Sequence, residues 1–293
     1  MPNYDLPDAK IVRREKDLSE AEEFVMGHYK NGYIKAQLTP ETHEQEEEVK
    51  KIDAKPNHGP QTERSIVFDR IVHHFKTWWG DSVEVYRASR FDDRTNATDL
   101  IVEFFDEAGA SIAVLSLDTS VSNDNLETIL TKSQKIIEKL KAKTMGELQH
   151  MPTDSVGDEA FETKSLIPQA VVALNPDTLE RLCKDIRQSV GEKDGELKIK
   201  QHPYQLIVLD SVVEQLVTQR EVLDIYEKKG SINIEQKRKM DAKLVEMIDI
   251  IKNLISRKKN PPDGGPGVRF DASWGDYVSA FFKNHSDFLR LAA

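Results

Sequence analysis

The chain has 293 residues, of which 38% are hydrophobic, and a mean hydropathy of −0.55, so one medium domain with appended elements is expected rather than a single core. Its apolar runs, such as Leu206–Leu209 and Ala170–Leu174, fall far short of the ~18 residues that cross a bilayer, and the opening residues lack the basic-then-apolar pattern of a secretory signal. The formal charge of −10 speaks against a tight non-specific nucleic-acid binder, and the lone Cys183 excludes an internal disulfide or a thiolate metal cluster, which fits a reducing cytoplasm.

Residues 1–60 read as an acidic arm, with Glu44 and Glu46–Glu48 close together and a break at Pro56–Pro60. Within it Ser19 is placed to cap a short helix through Tyr29 that shows Ala21, Phe24, Val25 and His28 on one face. The acidic run reads as a solvated face, the alternative being a mimic of nucleic-acid charge or a dock for a basic partner.

Residues 61–190 carry the pattern of an α/β core. A helix is predicted from Thr62 to Gly80, with Ile66, Val67, Ile71, Phe75 and Trp78 forming one apolar stripe and Glu63 bordering it. Strand-like Val83–Tyr86 follows, then a polar turn over Arg87–Asp93. Asp99–Phe105 and Ser111–Asp118 are the second and third strands, and the short link Asp106–Gly109 makes them an antiparallel hairpin. The third is apolar on both faces, which predicts a central position. Asn123 or Asp124 opens a helix bearing Leu126, Ile129, Leu130, Ile136, Ile137 and Leu140. Residues 144–165 read as a loop or insertion, Pro168–Leu174 as a buried strand, and Asn175 starts a helix through Ile186 in which Cys183 serves as a small hydrophobe.

Past a polar stretch at 192–200, residues 201–259 carry two long helical patterns, 203–229 and 232–258, expected to pack as an antiparallel hairpin. Residues 260–293 read as a Pro/Gly linker followed by an amphipathic helix with Trp274, Tyr277, Val278, Phe281, Phe282 and Phe288, which docks on its own chain or in a partner's groove. Self-association through these C-terminal helices is a possible assembly mode, and no membrane partner is expected.

The chemistry concentrates at strand ends. Asp99 opens the second strand and Asp118 closes the third, so the hairpin brings together two carboxylates of a kind that hold hard divalent cations. Ordinary structural roles are available to each acid: Glu63 as a first-turn acid favoured by the helix dipole, Asp99 as a strand-entry turn residue, Asp118 as a firmly hydrogen-bonded strand end. His73–His74 are adjacent on a helix and diverge, so they read as a packed or surface pair. Arg87, Arg90 and Arg94 flank the first two strands, where they contact phosphates or pair with Asp92 and Asp93.

The order helix, three strands, helix, strand over Glu63–Leu174 resembles the restriction-endonuclease-like, or PD-(D/E)xK, nuclease superfamily. The resemblance implies a magnesium ion held by Glu63 from the helix, Asp99 in Thr98-Asp99, and Asp118, with nucleic acid as substrate. It also implies a lysine two residues after the last acid, where this chain reads Leu117-Asp118-Thr119-Ser120. Either the lysine's role has moved to Lys132 or Lys135 on the next helix, or catalysis has been lost and the fold serves as a scaffold or interaction protein. Charge bears on the choice: residues 61–180 hold 12 Lys/Arg against 21 Asp/Glu, and residues 231–259 hold 8 against 4, so the core would repel a phosphate backbone unless cations were bound.

Overall fold

In the computed structural model the chain is described at residues 12–13, 18–28, 43–53, 61–80, 82–121, 126–152, 161–262, 264–265, 267–269, 271 and 289. In chain order the elements are β1 (Val12–Arg13), α1 (Glu20–His28), α2 (His43–Asp53), β2 (Gln61–Thr62), α3 (Glu63–Trp79), β3 (Val83–Arg87), α4 (Arg90–Asn96), β4 (Leu100–Phe105) and β5 (Ser111–Val121). There follow α5 (Leu126–Lys141), β6 (Gly146–Pro152), β7 (Phe161–Ile167), β8 (Gln169–Leu174), α6 (Pro176–Ser189), α7 (Gly195–Lys200), α8 (Tyr204–Lys228) and α9 (Ile234–Lys259). Among the described residues no helix is long and apolar enough to cross a membrane.

The main sheet has the order β3-β4-β5-β8, with β3/β4 and β4/β5 antiparallel and β5/β8 parallel. The hairpin expected between the second and third strands is present. Asp106 shapes its turn, its Oδ1 accepting from the Ala108 and Ala110 amides at 2.9 and 2.8 Å, and Gly109 takes the left-handed conformation there, φ +81°. Joining parallel β5 to β8 requires a crossover, which α5 and the β6–β7 hairpin supply.

Strand alternation divides the sheet into two faces. Leu100, Val102, Phe104, Ala113, Leu115 and Leu117 enter the main core with Val67, Phe68 and Ile71 of α3 and the buried faces of α6, α8 and α9. The other face carries Ile101 and Val114 in a smaller cluster with Leu148 and Ile167 of the β6–β7 hairpin. Ser116, Asp118 and Ser120 continue the Val114 side of β5 toward its C-terminal end.

Several elements lie where the sequence predicts no regular structure. Arg90–Asn96, inside the predicted turn region, is a helix: Ser89 caps it by accepting from the Asp92 amide, and it closes on Ala97 in the left-handed conformation. Residues 146–152 and 161–167 form a strand pair where a loop or insertion is expected, and α7 occupies the polar stretch after α6. The acidic arm holds α1, whose Ala21 and Val25 lie in the main core. Ser19 caps it as expected, its Oγ accepting from the Glu22 amide while the Ser19 amide donates to the Glu22 carboxylate at 2.7 Å.

Helices α8 and α9 are antiparallel, as the ion pairs Arg220–Asp241 at 2.6 Å and Lys237–Glu227 at 2.6 Å show. This hairpin shares the main core. Beyond α5, which also packs on β8, α8 covers the outer edge of that strand. There Gln215 Nε2 donates to the Val171 carbonyl at 2.8 Å, its Oε1 accepts from the Val171 amide at 2.7 Å, and Gln219 donates to the Gln169 carbonyl at 2.7 Å. The two glutamines stand in for a fifth strand on a buried edge, where unpaired backbone groups are costly. Cys183 is fully buried, and burial pushes its thiol up, which suits a packing role. The predicted C-terminal aromatic helix and the side chains of His73 and His74 lie outside the described residues.

Candidate functional site

Asp99 and Asp118 meet at one end of the sheet. Asp99 sits just before β4, its amide donating to the Leu117 carbonyl at 2.9 Å and its own carbonyl accepting from the Ala88 amide at 2.9 Å. Its Oδ2 accepts from the Thr119 amide at 2.6 Å and from Thr119 Oγ1 at 2.8 Å. Asp99 therefore holds β5 on both sides of Asp118, by backbone before it and by side chain after it. The two carboxyl groups lie close enough to interact directly.

Lys132 completes the group. From α5 its ammonium donates to Asp118 Oδ1 and, at 2.6 Å, to the Thr119 carbonyl. Of the two lysines that the sequence names on this helix, Lys132 is the one whose ammonium meets Asp118. Lys135 of the same helix is exposed.

One ammonium cannot neutralise two carboxylates, and the electrostatics reflect this. Burial pushes the Asp118 carboxyl up to about 7, against the pull of the Lys132 ammonium and with the added push of Asp99. Burial works against the Lys132 ammonium as well, yet Asp118 and Asp99 hold it above its ordinary value. Below about pH 7 the trio is neutral, one proton being held by the acid pair; above it the site carries a surplus negative charge.

The oxygens suit a hard cation. Asp99 Oδ1 and Asp118 Oδ2 accept no hydrogen bond from an amide, hydroxyl or ammonium among the described residues. Magnesium is commonly held by one or two carboxylates with waters and substrate phosphate filling the remaining positions, so this pair fits it. Glu63 is the first residue of α3 and half-buried. Among the described residues no three His, Cys, Asp or Glu side chains gather as a metal-holding group.

The structure adds residues that the sequence reading passed over. Lys139 donates at 2.8 Å to the Asn96 carbonyl and at 2.8 Å to Gln169 Oε1; its seven-residue spacing from Lys132, two helical turns, was the available signal. Asp92 is fully buried and accepts from Ser89 Oγ at 3.0 Å, Asn96 Nδ2 at 2.9 Å and the Gln149 amide at 3.0 Å. It fastens α4 to β6 and thereby fixes the approach to Asp99.

No protein-family model, curated protein or solved structure matches this chain.

Proposed function

We propose that the Asp99–Asp118–Lys132 cluster is the active site of a magnesium-dependent nuclease of restriction-endonuclease-like architecture. The observation that carries this reading is the lysine restored from α5: its ammonium sits on Asp118, whose carboxyl is paired in turn with Asp99. The strand order, with a central β5 antiparallel to β4 and parallel to β8 after a helical crossover, supports the same reading.

Asp99 and Asp118 are the residues that would hold the ion. When bound, magnesium supplies charge neutralisation for the phosphate oxygens and acidifies a coordinated water. The chain's own part is to orient and to balance charge. Thr119 fixes the Asp99 carboxylate through two donors, so that it keeps its aim whether or not Asp118 is ionised. Lys132, held by the Thr119 carbonyl, keeps an ammonium at the site after Asp118 turns to a cation, and is placed to meet an anionic oxygen or to orient water. Nucleic acid is the partner this reading requires. Its approach is helped by site cations, since the core as a whole is acidic.

The test is incubation of duplex DNA, single-stranded DNA and RNA with the full chain at pH 8 and Mg2+ or Mn2+. Cleavage that depends on the metal, and that falls at least 100-fold in Asp118→Asn while the melting temperature holds, supports the proposal. A specific observation favours a second reading, a catalytically inactive scaffold: the Lys132–Asp118 pair closes the site on itself. Absence of cleavage on all three substrates, with a stability unmoved by magnesium, selects that reading instead.

A further inference from the structure

We propose that Lys139 is a positioning residue for Asp99, acting with Gln169 through the Asn96 carbonyl. The inference rests on the reading of Asp99 as a metal-holding carboxylate.

The chain reaches Asp99 by a constrained path. Helix α4 ends at Asn96, Ala97 takes φ +53°, a conformation that crowds a residue bearing a Cβ, and Thr98 and Asp99 follow at once. Such a path persists only where its surroundings hold it. Lys139 Nζ and Gln169 Nε2 both donate to the Asn96 carbonyl, at 2.8 and 3.1 Å, and Lys139 also donates to Gln169 Oε1 at 2.8 Å. This triangle closes on the last turn of α4, where the carbonyls carry the negative end of the helix.

The same network reaches the strand that bears Asp118. Gln169 Nε2 lies 3.3 Å from Ser116 Oγ, and Ser116 Oγ lies 2.7 Å from Thr98 Oγ1. Both hydroxyls are buried. Asn96, Thr98 and Ser116 are thereby tied to one lysine on the helix that also delivers Lys132, so the two acids and the ammonium share a single frame.

The packing is built around this frame. A Cβ added at Gly146 would fall 2.7 Å from the Ile167 carbonyl oxygen and 2.8 Å from Gln169 Cγ, so only glycine lets the Gln169 side chain pass. Burial pulls the Lys139 ammonium down to about 8, against the pull of Asp118 and Glu147 and with the push of Lys135. A lysine free to snorkel into water would not accept that environment; here its donors are committed to two fixed oxygens.

The experiment titrates Mn2+ by calorimetry into the wild-type full chain and Lys139→Met at pH 8, with metal-dependent cleavage followed at rising Mn2+. Groups that hold a metal ligand in place without touching the metal typically contribute about 10–100-fold in affinity. The expected result is a folded variant whose Mn2+ Kd and apparent KM for metal rise by that factor, while kcat at saturating metal stays within about threefold. A purely structural lysine would lower the melting temperature and leave the Kd of the folded protein alone. A Kd within about twofold of wild type therefore overturns the inference. If Lys139→Met does not fold, Gln169→Met, which breaks the triangle from the other side, is judged by the same criterion. Wild-type protein that binds no Mn2+ overturns the reading of the site itself, and the inference with it.

Discussion

Replacing Asp118 by asparagine gives the sharpest test of the site's electrostatics, because it removes the one carboxyl that the structure places in surplus. In the folded chain this group is raised from 3.8 to about 7. A carboxyl that holds its proton more tightly when folded stabilises the protein at pH values below 3.8; that contribution is lost as pH climbs to about 7 and stays absent above it. The gap of about 3 units corresponds to ~4 kcal/mol, at ~1.36 kcal/mol per unit. Asparagine has no proton to lose. The stability of Asp118→Asn relative to wild type should therefore move in the variant's favour by up to about 4 kcal/mol between about pH 4 and pH 7.5. Other titrating groups contribute to both proteins and largely cancel in the difference. Urea unfolding at several pH values, with linear extrapolation, measures it. A difference that stays constant within about 1 kcal/mol across that range would show that Asp118 is ionised throughout and that burial does not hold a proton on it.

Because the proton on the acid pair competes with a cation, Mg2+ affinity should rise roughly tenfold per pH unit up to about pH 7 and then level off, measured by calorimetry; a flat profile from pH 5.5 to 8 contradicts the assignment. Lys132→Met leaves the two carboxylates without their ammonium and should cost ~3–5 kcal/mol at pH 8, with part of the loss recovered by added Mg2+; a loss under about 1 kcal/mol would mean that the pair is solvated. Gln215→Leu strands the amide and the carbonyl of Val171 on a buried edge. At ~1–3 kcal/mol per unmet group, unfolding stability should drop by about 2–6 kcal/mol, and an unchanged midpoint would show that water satisfies that edge.

Elements with their own periodicity or capping chemistry could be read from sequence alone. Helices α3, α8 and α9 and the β4–β5 hairpin follow from apolar spacing and from the turn chemistry of Asp106 and Gly109, and their observed bounds fall close to those predicted. What escaped was structure made by tertiary context. Helix α4 is short, and its buried anchor Asp92 is held by Gln149, far away in sequence. The β6–β7 pair is rich in polar residues and gains its place by covering Ile101 and Val114 with Leu148 and Ile167. Glutamines 215 and 219 look like surface residues on a helical wheel until β8 presents an edge that needs amides.

The site divides along the same line. The convergence of Asp99 and Asp118 follows from hairpin register, and Lys132 was one of two lysines available on the next helix. The support beneath Asp99, by contrast, depends on a buried lysine meeting a backbone carbonyl, and no local pattern announces that contact.

The most direct measurement is a crystal structure of the full chain soaked in Mn2+ at pH 8, with anomalous diffraction used to locate the ion. One anomalous peak between the carboxylates of Asp99 and Asp118, with Lys132 retained beside it, is the predicted result. A soaked crystal with no peak there, and with the Lys132–Asp118 pair intact, would contradict the metal-dependent account.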